Sequence, residues 1–321
     1  MGNSCCSYSY EDEDEGKPIA PRLRFVNGSP QQQGYQAISD SVNIPVFDQA
    51  AQERLKLNHL IWQHFWKCNL ISPVEQNFHY GAAVLDSGCG PGTWLIEMAE
   101  KYPAVTFTGV DISRTFPYKR QRPHNTEFSQ CDILDGLHYL DATFDFVHQR
   151  AMCDAFTKQQ WEEKVIKELT RVTKPGGWLE CVEAEVGFIG DGVATRKISD
   201  AVKLLYENDG MLSNPGKELL RLFHANGLEN VRHVEKDIIL GKKSGKFGEA
   251  ALNHNVTRLR TLKPFLKPLL APDITTDSQY NRLIDTFKKE VEQVSSSSSQ
   301  PVVLRTHRVI GQREFSRSYF F

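Results

Sequence analysis

Val84-Leu85-Asp86-Ser87-Gly88-Cys89-Gly90-Pro91-Gly92 is the stretch that decides the fold. Two apolar residues run into an acid, and glycine then occupies alternate positions. Ala82 to Leu85 reads as a short buried strand and Thr93-Trp94-Leu95-Ile96-Glu97-Met98-Ala99 as a helix. The glycines therefore fall on a strand-to-helix turn. Lacking Cβ atoms, they permit a tight turn and let a ligand lie against the backbone near the positive end of the helix. The nucleotide-binding G-x-G-x-x-G loop exploits the same physics, but the spacing here is G-x-G-x-G. An acid two residues ahead of Gly88 suits a ligand bearing an ammonium group better than one bearing a pyrophosphate.

More acids follow at the ends of strand-like runs. Val105-Thr106-Phe107-Thr108-Gly109-Val110-Asp111 ends in a carboxylate suited to accept from the two hydroxyls of a ribose. Phe128-Ser129-Gln130-Cys131-Asp132-Ile133 ends in another, where Asp132 would accept from an adenine amino group and Ile133 would pack on the ring. Asp135 competes with Asp132 for that place, and either acid also suits a turn. Phe144-Asp145-Phe146-Val147-His148 supplies a fourth strand, and the turn Lys174-Pro175-Gly176-Gly177 feeds a fifth through Glu183. An amino-acid end, a ribose and an adenine together describe S-adenosylmethionine.

With these motifs, residues 80 to 188 resemble the core of class I S-adenosylmethionine-dependent methyltransferases. V-L-D-S-G-C-G-P-G is similar to the family's first motif, F-T-G-V-D-I-S to the ribose-binding acid and S-Q-C-D-I-L to the adenine contact. L-T-R-V-T-K-P-G-G-W-L-E is similar to the turn before strand five. R-F-V-N-G-S-P, F-D-F-V-H-Q-R and K-P-G-G-W-L-E-C-V-E resemble a fungal branch that includes orphan methyltransferases and regulators of secondary metabolism. The resemblance implies an α/β, Rossmann-like seven-stranded sheet with an N-terminal helical lid and a helical insertion before the last strand. It also implies cofactor contacts from Asp86, Gly88, Gly90, Gly92, Asp111, Asp132 and Ile133.

The expected organisation is a disordered tail over 1–45, a helical lid over 46–79 and a methyltransferase core over 80–245. A helical insertion over 246–294 and a closing strand over 295–321 complete it. In the lid, Leu57, Leu60, Ile61, His64, Phe65 and Cys68 share one helical face, with Trp62 and Trp66 beside it. The insertion reads as two helical stretches divided by Pro264, Pro268 and Pro272, with a stripe of Leu252, Val256, Leu259, Leu262 and Leu266. The serine run Ser295 to Ser299 reads as a flexible loop.

Composition excludes some functions. A net charge of -2 offers no bulk attraction to nucleic acid. No apolar run reaches the length of a membrane span. The seven cysteines are scattered without metal-site spacing, which fits a reducing cytoplasm or nucleus. Met1-Gly2-Asn3-Ser4-Cys5-Cys6-Ser7 nearly fits a myristoylation pattern, with Cys5 and Cys6 as palmitoylation sites. Membrane contact is expected only if that segment is acylated, and an unmodified tail is the alternative. The basic stretch Lys242 to Lys267 reads either as an amphipathic docking surface or as the solvated face of a helix.

His148 and Glu183 stand at strand ends where open α/β sheets bind ligands, and both are candidate catalytic groups. A histidine that orients a loop is the plainer alternative for His148. Sulfonium chemistry needs mainly alignment and exclusion of water, so catalytic residues leave little trace in sequence. The acceptor, a small molecule or a protein, is expected between the cofactor's methyl and a roof made by the lid and the insertion. A cofactor-binding regulator with little turnover is the second reading. A nicotinamide oxidoreductase is disfavoured by the glycine spacing.

Overall fold

Val84 and Leu85 are fully buried, because strand β1 (Ala83–Ser87) runs through the middle of the sheet with both faces covered. The other strands are β2 (Thr106–Asp111), β3 (Thr126–Gln130), β4 (Phe144–Arg150), β5 (Thr173–Ala184), β6 (Leu228–Ile239) and β7 (Val303–Arg313). Their order is β3-β2-β1-β4-β5-β7-β6. The first five are parallel, and β7 runs antiparallel between β5 and β6. The chain moves outward from β1 to β3 and then returns to β4 on the other side of β1. That reversal opens a crevice beyond the carboxyl ends of β1 and β4, the usual ligand site of an open α/β sheet. Register brings the acids there: Asp86 stands level with Gly109 of β2 and His148 of β4.

This computed structural model describes residues 49–79, 81–294 and 300–315. The tail with Gly2, Cys5 and Cys6, and the serine run Ser295 to Ser299, lie outside the described residues.

Helix α1 (Gln49–Trp66) precedes the sheet, and α2 (Thr93–Lys101) follows the glycine turn. Helix α3 covers residues 158–172 and contains a π-helical turn at Trp161–Val165. Two helices, α4 (Val193–Asn208) and α5 (Pro215–Ala225), separate β5 from β6. Between β6 and β7 stand three helices where the prolines suggested two: α6 (Gly245–Thr261), α7 (Lys263–Leu269) and α8 (Asp277–Val294). Pro264 does not break the chain but lies in the first turn of α7, where a missing N–H is harmless.

The inward face of α1 is rotated from the expected one. Leu57 and Leu60 are exposed, while His59, Ile61, Trp62 and Trp66 are buried. The polar handles explain the rotation. His59 bonds Glu97, and the Trp62 and Trp66 indoles donate to Asn58 and Thr306.

Helices α6 to α8 are not a detachable unit. Leu252, Val256, Leu259, Leu262 and Leu266 join one cluster with Ile198 and Val202 of α4 and Ile61 of α1. The basic stretch is largely the solvated face: Arg260 pairs with Asp285 at 3.2 Å, and Lys263 and Lys267 each pair with Asp277 at 2.7 Å.

One buried ion pair ties α1 to the sheet. Glu180 of β5 and Arg308 of β7 meet at 3.1 Å, with side chains 0% and 1% exposed. Glu180 also accepts from the Ile71 and Ser72 N–H groups and the Ser72 hydroxyl. Arg308 donates to the Cys68 carbonyl and lies over the Trp66 ring at 4.5 Å. Removing one partner leaves the other charge buried and unpaired. Glu180→Gln or Arg308→Met is therefore expected to lower the unfolding free energy by about 3–5 kcal/mol in urea titrations. A loss under about 1 kcal/mol for both variants would show that the pair does not anchor the segment.

Candidate functional site

Gly88, Gly90 and Gly92 all adopt positive φ, at 70°, 53° and 71°. Each would strain a side chain there, but their surroundings differ. A Cβ on Gly88 would come within 2.4 Å of the Met152 sulfur, and one on Gly92 within 2.5 Å of the Phe128 ring. A Cβ on Gly90 would meet only Leu55 of α1, at 3.9 Å. Packing therefore forbids side chains at the two outer glycines, whereas the middle one opens onto free space. That space is a cradle with room for a ligand on bare backbone.

Asp111 closes one side of the cradle. Its Oδ2 accepts from the Gly90 N–H and its Oδ1 from the Ser113 N–H, both at 2.8 Å. Burial pushes this carboxyl upward, and those hydrogen bonds oppose the shift. Each oxygen keeps a lone pair for a further donor, as a diol requires. Asp132 accepts from the Leu134 N–H at 2.9 Å and caps a short 3-10 turn, Ile133–Asp135. Ile133 is buried beside Leu85 and Val110, while Asp135 points to solvent.

On the other side, Asp86 is buried and accepts from His148 Nδ1 at 2.8 Å. The imidazole stacks on the Trp94 ring, with centroids 3.8 Å apart and planes 9° from parallel. Burial lowers the His148 pKa, against the pull of Asp86. His148 is 1% exposed, and its Nε2 is buried without a hydrogen-bond partner among the described residues. The sequence reading put His148 at the acceptor's edge. In this geometry it instead lies between Asp86 and Trp94, a ring that orients the carboxylate and offers no open face to an acceptor.

Glu183 is placed differently. Its carboxyl accepts from the Met152 N–H at 2.8 Å and the Cys153 N–H at 3.0 Å. Burial outweighs those bonds and raises its pKa to about 7. It stands in the wall of a cavity of about 120 Å³ lined by residues of α1, α4, α6 and the ends of β4 and β5. Trp62, Phe188 and Tyr206 give that cavity apolar walls, and His254 and Asn255 give it polar ones. Burial lowers the His254 pKa to about 4, so its ring is neutral at ordinary pH. Across the cavity, Arg258 of α6 bonds Asp154 at 3.2 Å, and Tyr206 bonds both. A larger, more open depression of about 760 Å³ between the end of α1 and α2 is lined by Lys67, Ser72, Glu75 and Lys101. None of the strand-end acids borders it, so it is not where the chemistry converges.

No local pattern points to the Asp154–Arg258–Tyr206 cluster, whose members come from three distant segments. Nor does one point to Glu97 of α2. That carboxylate accepts from His59, Gln63 and Asn69, which pins α1 over the cradle. A polar residue facing inward from α1 was the available signal, and hydrophobic periodicity passes over it.

Residues 84–177 match the family model described as a methyltransferase domain. The N-methyltransferase tcpN of Claviceps purpurea is 25% identical over 256 residues, which is 77% of this chain and 91% of that protein. The N-methyltransferase verN of Clonostachys rogersoniana is 33% identical over 168 residues, 50% of this chain and 56% of the relative. The secondary metabolism regulator laeA of Coprinopsis cinerea is 32% identical over 110 residues, covering 34% of this chain and 26% of the regulator.

If Asp111 holds a ribose diol, Asp111→Ala should weaken binding of S-adenosylhomocysteine by about 1.5–3 kcal/mol in calorimetry. Gly90→Val, which fills the cradle, should weaken it at least as much. Unchanged affinity in both variants would move the ligand elsewhere.

Proposed function

We propose that this S-adenosylmethionine-dependent methyltransferase transfers its methyl group to a nitrogen atom of a small molecule. The observation that carries the proposal is the cavity bearing Glu183. Its volume of about 120 Å³ admits a small amine-bearing group. Its polar lining of Glu183, His254 and Asn255 supplies acceptors for an N–H donor. The relatives support the same reading. The N-methyltransferase from Claviceps purpurea aligns over 77% of this chain, whereas the Coprinopsis cinerea regulator aligns over only 34%. The match to the regulator is thus too short to carry the acceptor side with it. A regulator with little turnover is the weaker reading.

In this mechanism Asp111 takes the ribose, Asp132 and Ile133 the adenine, and the glycine turn with Asp86 the amino-acid end. When bound, S-adenosylmethionine supplies an electrophilic methyl group on its sulfonium. Helices α1 and α6 exclude water and hold the acceptor near attack distance. Glu183 would accept a hydrogen bond from the N–H of the methyl acceptor and take up its proton, while the N–C bond forms as the S–C bond of the sulfonium breaks and S-adenosylhomocysteine leaves. A carboxyl that titrates near 7 suits this role at neutral pH. No helix among the described residues is long and apolar enough to cross a membrane. The cysteines of the described residues are all free, which fits a reducing compartment such as the cytoplasm or nucleus.

Incubation with methyl-labelled S-adenosylmethionine and a fungal extract, followed by fractionation, tests the acceptor class. Label is expected in small molecules, on nitrogen. Label on protein alone would contradict the proposal.

The role of Glu183 makes a pH prediction. The carboxyl is protonated below about 7 and ionised above it, so kcat/KM should rise with pH through about 7. Glu183→Gln should lower the rate and flatten that profile. A wild-type profile without an inflection near 7 would remove Glu183 from proton transfer. Stability should move the other way. The raised folded pKa means the native state holds the extra proton, so this stabilisation is present at low pH and lost as pH rises through about 7.

A further inference from the structure

Arg150 ends β4. Register pairs Ser87 with Gln149, which brings Arg150 level with Gly88, the first glycine of the turn. Its Nη2 donates to His59 Nδ1 at 3.0 Å. Because a guanidinium can only donate, that contact fixes the imidazole tautomer. His59 accepts at Nδ1 and donates from Nε2 to Glu97 at 2.7 Å. Burial is the leading influence on the imidazole and lowers its pKa, which keeps the ring neutral in this role. Glu97, His59 and Arg150 therefore form a directed chain from α2 through α1 to the strand end.

Helix α1 locates the end of that chain. Leu55 reaches the space above Gly90, and His59 lies one turn further along the same helix face. The guanidinium consequently hangs beside the glycine cradle, on the side away from Asp111. It is cationic at neutral pH even though burial draws its pKa down to about 10. Among the described residues it has no carboxylate within 4 Å, and its one hydrogen bond is to an uncharged ring. Arg171, Arg258, Arg305 and Arg308 all pair with carboxylates. Asp86, the nearest source of opposite field, is already bonded to His148.

We propose that Arg150, aimed by His59 and Glu97, binds the carboxylate of the cofactor's amino-acid end. A ligand that crosses the turn from Asp111 presents its ammonium and carboxylate at the β1–β4 side. Asp86 and Arg150 there offer one negative and one positive partner, matching a zwitterion charge for charge. The fork of a guanidinium suits a carboxylate, and the desolvated position strengthens the contact. Because His59 belongs to α1, occupancy of the carboxylate subsite also braces α1 over the cradle.

The proposal rests on the cofactor assignment, and two ligands separate the two. S-adenosylhomocysteine carries the carboxylate, whereas 5′-methylthioadenosine keeps the adenosine and lacks the amino-acid end. By calorimetry, Arg150→Met should lose about 10- to 100-fold in affinity for S-adenosylhomocysteine while its affinity for 5′-methylthioadenosine stays within about twofold. Arg150→Lys, which keeps the charge and loses the fork, should show a smaller loss, again confined to S-adenosylhomocysteine. Glu97→Gln should shift the same ligand preference in the same direction, an effect that a merely structural carboxylate would not produce. Equal losses on both ligands, or no loss on S-adenosylhomocysteine, in the folded Arg150 variants would overturn the proposal. Failure of the wild-type protein to bind either ligand would instead overturn the cofactor assignment.

Discussion

A carboxylate and a guanidinium sealed inside the sheet, Glu180 and Arg308, decide where the chain ahead of β1 must lie. Neither charge is tolerable in that interior without its partner. Glu180 also accepts from the backbone of Ile71 and Ser72, and Arg308 donates to the Cys68 carbonyl and lies over the face of Trp66, while its Nε has no hydrogen-bond partner among the described residues. Those bonds fix residues 66–72, and with them the end of α1. Glu97 then holds the helix from the side of α2. The consequence is functional. Leu55 and His59 stand over the glycine turn because charges on β5 and β7 require the segment behind them.

The two ends of the crevice have different physics. On the cofactor side, backbone shape and acids dominate: three left-handed glycines, and the Asp111 carboxylate tied to the N–H groups of Gly90 and Ser113. On the side proposed for the acceptor, apolar walls carry polar groups from β5 (Glu183), from the segment after β4 (Asp154) and from α1, α4 and α6. Helices α6 to α8 are built into the cluster that includes α4, so the cavity bearing Glu183 is a feature of the core rather than of an appended cap.

Much of this was legible in the sequence. The glycine turn and the acid at the end of β2 follow from local patterns, since each motif is contiguous and its residue types are dictated by backbone shape, whereas the seven-stranded sheet was implied by the family resemblance. What escaped is non-local. The face that α1 turns inward differs from the hydrophobic stripe because His59 and Trp66 bond partners 38 and 240 residues away. His148 was correctly put at the end of β4, but its burial under Trp94 depends on packing between two elements. The pairing of Arg258 with Asp154 joins residues 104 apart, and no spacing rule reaches that far. Pro264 suggested a break, yet the first turn of a helix accepts it.

A crystal structure of the protein with S-adenosylhomocysteine tests the central claim most directly. The account predicts the ligand on the glycine turn, its ribose hydroxyls within hydrogen-bond distance of Asp111 and its sulfur facing the cavity that Glu183 borders. A ribose away from Asp111, or a sulfur turned from that cavity, would contradict it.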